Sequence, residues 1–148
     1  MAAAIRPLAR PAGDLYRLRA RLLDLMWDQV GIVRDAAGLA GALAELEEIG
    51  AGIEATGVGG EPLYNPTWQD RLNLGNQVLV ARAIATAALA RTDSRGAHYR
   101  ADDPAAGPLD QTTHTVVRLE SGRPAVGLCP VAFPLLRPPP AGRIGGAA

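Results

Sequence analysis

"NQVLVARAIATAALARTDSRGAHYRADDP", residues 76–104, sets two kinds of chemistry end to end. Through Ala90 the residues are mostly small and apolar, and Val80, Ile84, Ala87 and Ala88 recur at helical spacing along one face. From Arg91 onward come three arginines, three aspartates, a serine and a histidine. The first half predicts a helix too apolar to face water, thin enough through its alanines for close approach by neighbours. The second half is a helix end, a site or a partner surface. Arg91 and Arg95 would complement the negative end of the helix dipole, Asp93 would pair locally, and Gly96 can take the left-handed conformation that stops a helix. Arg100, Asp102 and Asp103 lie beyond what a helix stop requires.

Upstream, Asp14 is placed to cap a helix over "LYRLRARLLDLMWDQV", whose Leu15, Leu18, Leu22, Leu25, Met26 and Val30 recur at three- and four-residue steps. Gly31 weakens that helix, and "GIVRD" leads into a second, "AAGLAGALAELEEIG", striped by Leu39, Leu43, Leu46 and Ile49 or Ile53. The glycine-rich "GAGIEATGVGGEPLYNP" then reads as a loop. It follows no strand, lacks the spacing of a dinucleotide turn and contains no P-loop lysine, so it offers no phosphate cradle. The third helix starts between Thr67 and Asp70. Beyond Pro104, "TTHTVVRLE", "SGRP" and "AVGLCPVAF" read as two short strands about a turn. "PLLRPPPAGRIGGAA" is a proline- and glycine-rich tail, expected to be disordered.

Bulk properties narrow the function. The chain has 148 residues, 48% of them hydrophobic and only 4% aromatic, enough for one domain with an aliphatic core. Fifteen basic residues, all arginine, balance fifteen acidic ones, so no general field draws the chain to nucleic acid. The single cysteine, Cys129, cannot form an internal disulfide, which fits a reducing compartment and a cytoplasmic protein. It reads as a small buried residue rather than a nucleophile. No apolar run reaches the length of a membrane span. "MAAAIRPLARPAGD" lacks the apolar core of a secretory signal and reads as a leader.

Two site chemistries, and with them a self-sufficient enzyme using His98 and the acids, are disfavoured by spacing. Ser94, His98 and Asp102, four apart, would align as nucleophile, base and orienter on a continuous helix, but Gly96 interrupts it and nothing supplies an oxyanion hole. His98, Asp102, Asp103 and His114 match no established metal-ligand spacing. No catalytic, cofactor-binding or metal residue is therefore assigned.

With these residues in view, "ALARTDSRGAHYRADDP" resembles the A-R-x-E-S-R-G-x-H-x-R-x-D-x-P signature in the C-terminal domain of the succinate dehydrogenase, fumarate reductase and L-aspartate oxidase flavoprotein family. "LMWDQVGIVRDAAGL", "YNPTWQDRLNLGNQVLVARAI" and "THTV" resemble further segments of that domain in the same order, over roughly Leu15 to Val131. Asp93 stands where the signature has Glu. "YNPTWQD" favours the succinate dehydrogenase and fumarate reductase branch, while "RDAAGL" is equally at home in the oxidases.

The resemblance implies a mainly-α fold, a three-helix bundle resembling a spectrin repeat, followed by a short β-hairpin extension. The corresponding division is a leader at 1–13, a bundle at 14–104, a hairpin at 105–134 and a disordered tail at 135–148. It implies FAD on a partner domain or subunit and none in this chain, and dicarboxylate chemistry that this chain cannot perform alone. The implied partners are the flavin-binding part of the same enzyme and, in multi-subunit members, an iron–sulfur subunit; self-association stays open. Any approach to the cytoplasmic face of a membrane would come through partner subunits. Ser94, Arg95, His98, Arg100 and Asp103 are expected to form an interface with the flavin-bearing part, pairing across the boundary. Met1 and its leader point to a separate chain, with an excised piece as the other option. A detached helical bundle acting as a protein-binding scaffold is the competing function.

Overall fold

The computed structural model describes residues 11, 13–61 and 63–138. Most of the expected leader and most of the expected tail lie outside these residues.

Three helices enclose the core. Helix α1, Leu15–Asp28, begins where the Asp14 carboxylate accepts the Arg17 backbone N–H at 2.9 Å. Helix α2, Ala36–Ala55, is capped likewise by Asp35, which accepts from Gly38 N at 2.7 Å. Helix α3, Pro66–Ala90, is capped by Asn65 and carries Pro66 in its first turn, where a missing N–H costs nothing. Buried leucines of α1 (Leu15, Leu22 and Leu25) meet Leu39, Ala42, Leu46, Ile49 and Ile53 of α2. From α3 come Leu74, Val78, Ala81, Ala85 and Ala88. Arg71 continues that stripe and donates from Nε to the Thr56 carbonyl at 3.1 Å. Ion pairs fasten the rim, Arg21 to Glu45 and Glu48 between α1 and α2 and Arg82 to Glu47 between α2 and α3.

The buried face of α3 is only partly the expected one, since Ala88 of that face is buried but its larger members are not. Val80 and Ile84 are 56% and 45% exposed, while Ala81, Ala85 and Ala88 point inward. Helix α2 also runs five residues beyond Gly50, through glycines that the sequence suggests as loop. Those glycines are packing positions. A Cβ on Gly50 would lie 2.7 Å from Arg82 Nη2, and one on Gly52 would lie 3.1 Å from a Leu18 methyl.

The expectation of a mainly-α three-helix bundle with a hairpin appended is corrected by the strands. Among the described residues about 49% are helical and about 19% extended, in three α-helices, a short 3-10 turn at Leu109–Gln111, two two-stranded sheets and isolated bridges. Strands β1, Val33–Arg34, and β2, Tyr99–Arg100, pair in parallel, so the polar stretch is tied to the join between α1 and α2. Tyr99 N donates to Ile32 O at 3.1 Å and Ala101 N to Arg34 O at 2.8 Å. The physical reason is the burial of Ser94 and Arg100, 7% and 4% exposed: a segment sunk that far must find partners for its backbone groups. The second sheet is a hairpin of β3, Thr113–Glu120, and β4, Arg123–Pro130, joined by Ser121 and Gly122, both at positive φ. It lies along α3. Cys129, expected inside, is exposed.

Candidate functional site

The polar stretch closes the end of the helical layer where α3 stops and α2 starts. Helix α3 ends at Ala90, and its last carbonyls need donors. Arg100 supplies them. Its Nη1 donates to the carbonyl of Arg91 at 2.9 Å and to those of Ala88 and Leu89 at 3.3 Å. The other edge of the same guanidinium grips Asp102 as a fork, Nε to Oδ1 and Nη2 to Oδ2, both at 2.7 Å. Asp102 Oδ2 also accepts the Ala36 N–H at 3.0 Å, in the first turn of α2. One arginine and one aspartate thus connect the negative end of α3 to the positive end of α2. Arg100's hydrogen bonds hold the Asp102 carboxyl far below its ordinary range, against a smaller opposing effect of burial and with help from Ala36 N.

Ser94 fixes the turn around this pair. Its hydroxyl accepts the Arg100 N–H at 2.8 Å and donates to the Asp103 carbonyl at 2.7 Å. Arg95 reaches the other way, donating from Nε and Nη2 to Asp93 Oδ2 and from Nη2 to Gly107 O at 2.9 Å. Asp93 is shared, since its Oδ1 lies 3.0 Å from Arg91 Nε. Burial pushes the Asp93 carboxyl up, but the Arg95 hydrogen bonds and the charges of Arg91 and Arg95 outweigh it, and the net shift is downward. His98 Nε2 lies 3.2 Å from the Arg91 carbonyl. Burial lowers its pKa, and the charges of Arg34, Arg91 and Arg100 lower it further against the effect of that hydrogen bond.

Of the five residues expected at an interface, Ser94 and Arg100 are buried within this chain, Arg95 and Asp103 are partly covered, and His98 lines an open cleft. The nucleophile–base–orienter alignment does not form: the Ser94 hydroxyl is engaged by the backbone, and β2 replaces the helix that would align it with His98 and Asp102. Gly96 has a φ of +58°, the left-handed conformation its position suggested, but α3 has already ended six residues earlier, at Ala90.

The cleft beside His98 has a volume of about 670 Å³. Its floor is Ile84, Ala87 and Ala88 of α3, and Arg34, Arg91 and Arg95 stand around it. Arg34 escaped the sequence reading of the site. Its signal was present in "VGIVRD", but its place depends on the parallel register that sets Arg34 beside Arg100. Ile84 also lines a second, more apolar groove of about 480 Å³ between α1 and α3, with Leu23, Met26 and Val80.

A family model described as the fumarate reductase flavoprotein C-terminal region matches residues 19–144. The L-aspartate oxidase of Rhodospirillum rubrum is 40% identical over 102 residues, which is 69% of this chain and 30% of that protein. The fumarate reductase flavoprotein subunit of Helicobacter pylori (strain 26695) is 37% identical over 92 residues, 62% of this chain and 13% of that subunit. Among solved structures, Mycobacterium smegmatis Sdh1 in complex with UQ1 superposes with a TM-score of 0.80 and 30% identity, over 91% of this chain and 24% of that one. The chain therefore spans less than a third of the length of each of these proteins.

Proposed function

Because the chain belongs to the fumarate reductase flavoprotein C-terminal family, we propose that it serves as the docking part of an FAD-dependent dicarboxylate oxidoreductase, packing on the flavin-bearing part. The observation that carries this reading is the open side of α1 and α3. Leu23, Val80 and Ile84 are exposed there beside a cleft rich in arginine, a combination typical of an interface rather than of a water-facing surface.

Among the described residues, the start of α2 does not suit the pyrophosphate of FAD. The helix that follows a strand in the manner of a dinucleotide fold is α2, and two of its first-turn N–H groups already donate to carboxylates, Ala36 to Asp102 and Gly38 to Asp35. A pyrophosphate would meet negative charge where it needs donors. This supports a flavin carried by the partner part. The role of the 94–103 segment is positional: Ser94, Arg100 and Asp103 hold its shape, while Arg95 and His98 present its outer edge.

Among the described residues no helix is long and apolar enough to cross a membrane. We place the assembly in the cytoplasm or at its membrane face, reached through other subunits, an iron–sulfur subunit among them. The test is to combine the purified chain with the flavin-bearing polypeptide of its own source. A complex carrying the flavin absorbance, with succinate or fumarate turnover only when both parts are present, supports the reading. Stoichiometric FAD on this chain alone, or a flavin-bearing polypeptide that ignores it, overturns the reading.

A further inference from the structure

Three arginines line the cleft, and they are not equally paired. Arg91 and Arg95 share Asp93. Arg34 has no ion pair among the described residues; its Nη2 makes a long 3.4 Å hydrogen bond to Ala97 O, and its Nε is buried without an acceptor. Arg100 lies nearby, but Asp102 already takes its charge. The cleft thus holds three guanidiniums against one carboxylate, and half-buried Arg34, with its Nε covered and without an acceptor, is suited to an incoming counter-charge. The positive field agrees with His98, whose pKa is lowered by burial first and then by the charges of Arg34, Arg91 and Arg100.

The setting selects the kind of anion. Ile84 lines both this cleft and the groove formed by Leu23, Met26 and Val80, so a cationic surface and an apolar one adjoin at that residue. A free dicarboxylate satisfies only the first. A protein surface carrying a carboxylate next to apolar side chains satisfies both, and the chain's relatives hold most of their length outside the part matched here. Resting on the docking function above, we propose that Arg34, with His98 beside it, receives a carboxylate side chain of the flavin-bearing part, whose neighbouring apolar residues fill the Leu23–Val80–Ile84 groove. The planar fork of an arginine suits that partner, since it can bind both oxygens at once.

The experiment titrates the full chain against the flavin-bearing polypeptide of its own source at about 0.05 M and about 0.5 M salt. Wild type should bind more weakly at high salt. Arg34→Gln should lose about tenfold or more in affinity at low salt and show a flatter salt response. Arg34→Lys, which keeps the charge without the fork, should fall between them, and Arg118→Gln on the hairpin should match wild type. Ile84→Gln, at the junction of cleft and groove, gives a second reading should Arg34→Gln melt early. If wild type binds and neither Arg34→Gln nor Ile84→Gln weakens it, the carboxylate seat is wrong and the docking function stands. If wild type does not bind at all, the docking function itself fails. Saturable binding of succinate to the chain alone, lost in Arg34→Gln, would reassign the cleft to a small anion.

Discussion

Replacing Arg100 by leucine removes the group on which the closed end of the helical layer depends. The side chain is 4% exposed, so little water waits to take its place. On its far edge Asp102 is open enough to be rehydrated, and that half of the fork costs little to lose. The near edge decides the outcome. The Arg91 carbonyl loses a charged donor at 2.9 Å, and those of Ala88 and Leu89 lose weaker ones at 3.3 Å. A buried hydrogen bond from a charged donor contributes about 1.5–3 kcal/mol, and the two long bonds with the helix-end charge add a fraction more. We expect a loss of about 2–4 kcal/mol, or roughly 10 °C in melting temperature for a chain of this size. Arg100→Lys should recover less than half, because one ammonium cannot serve the carbonyls and the carboxylate together. The acid limb supplies a second readout. Asp102 has its folded pKa depressed below the ordinary 3.8, so its contribution is complete above that value and is lost as pH falls below it. In Arg100→Leu this part of the acid dependence should flatten. A melt within about 2 °C of wild type, with an unchanged acid limb, would refute the capping account.

Leu46, fully buried in α2, should cost about 2–5 kcal/mol when cut to alanine, read by denaturant unfolding. Arg95→Ala should shift the melt by only about 1 kcal/mol, since its partners Asp93 and Gly107 lie in a partly solvated loop, yet weaken binding to the flavin-bearing part about tenfold. Val80, 56% exposed, can become glutamate within about 0.5 kcal/mol of wild-type stability. The same change should reduce hydrophobic-dye binding or self-association of the isolated chain, measured by fluorescence and light scattering.

The helices were legible because their information is local. Asp14 caps α1, and Leu15, Leu22 and Leu25 announce its inner face through their spacing. In α3 the same logic misled. A helix apolar nearly all round offers two candidate faces, and size broke the tie. Ala81, Ala85 and Ala88 admit α2 closely, while the larger Val80 and Ile84 are left outside. Strands β1 and β2 were invisible, because two residues have no periodicity and their pairing joins segments more than sixty positions apart. That pairing adds a second sheet to the β3–β4 hairpin, and together they turn a mainly-α expectation into a mixed fold. Within the polar stretch, residue identities suggested paired charges. They could not show that Arg100 turns inward to cap its own chain, or that Arg34 would be left facing the cleft without a carboxylate.

The central claim is that the α1/α3 side and its arginine-lined cleft dock on a flavin-bearing part. Hydrogen exchange of the chain, free and bound to the flavin-bearing polypeptide of its own source, tests it most directly. Binding should slow exchange across residues 22–34 and 80–98 and leave the outer side of α2, around Ala40, Ala44 and Ala51, unchanged. Protection confined to α2 or to the β3–β4 hairpin, with none at the cleft, would contradict the account.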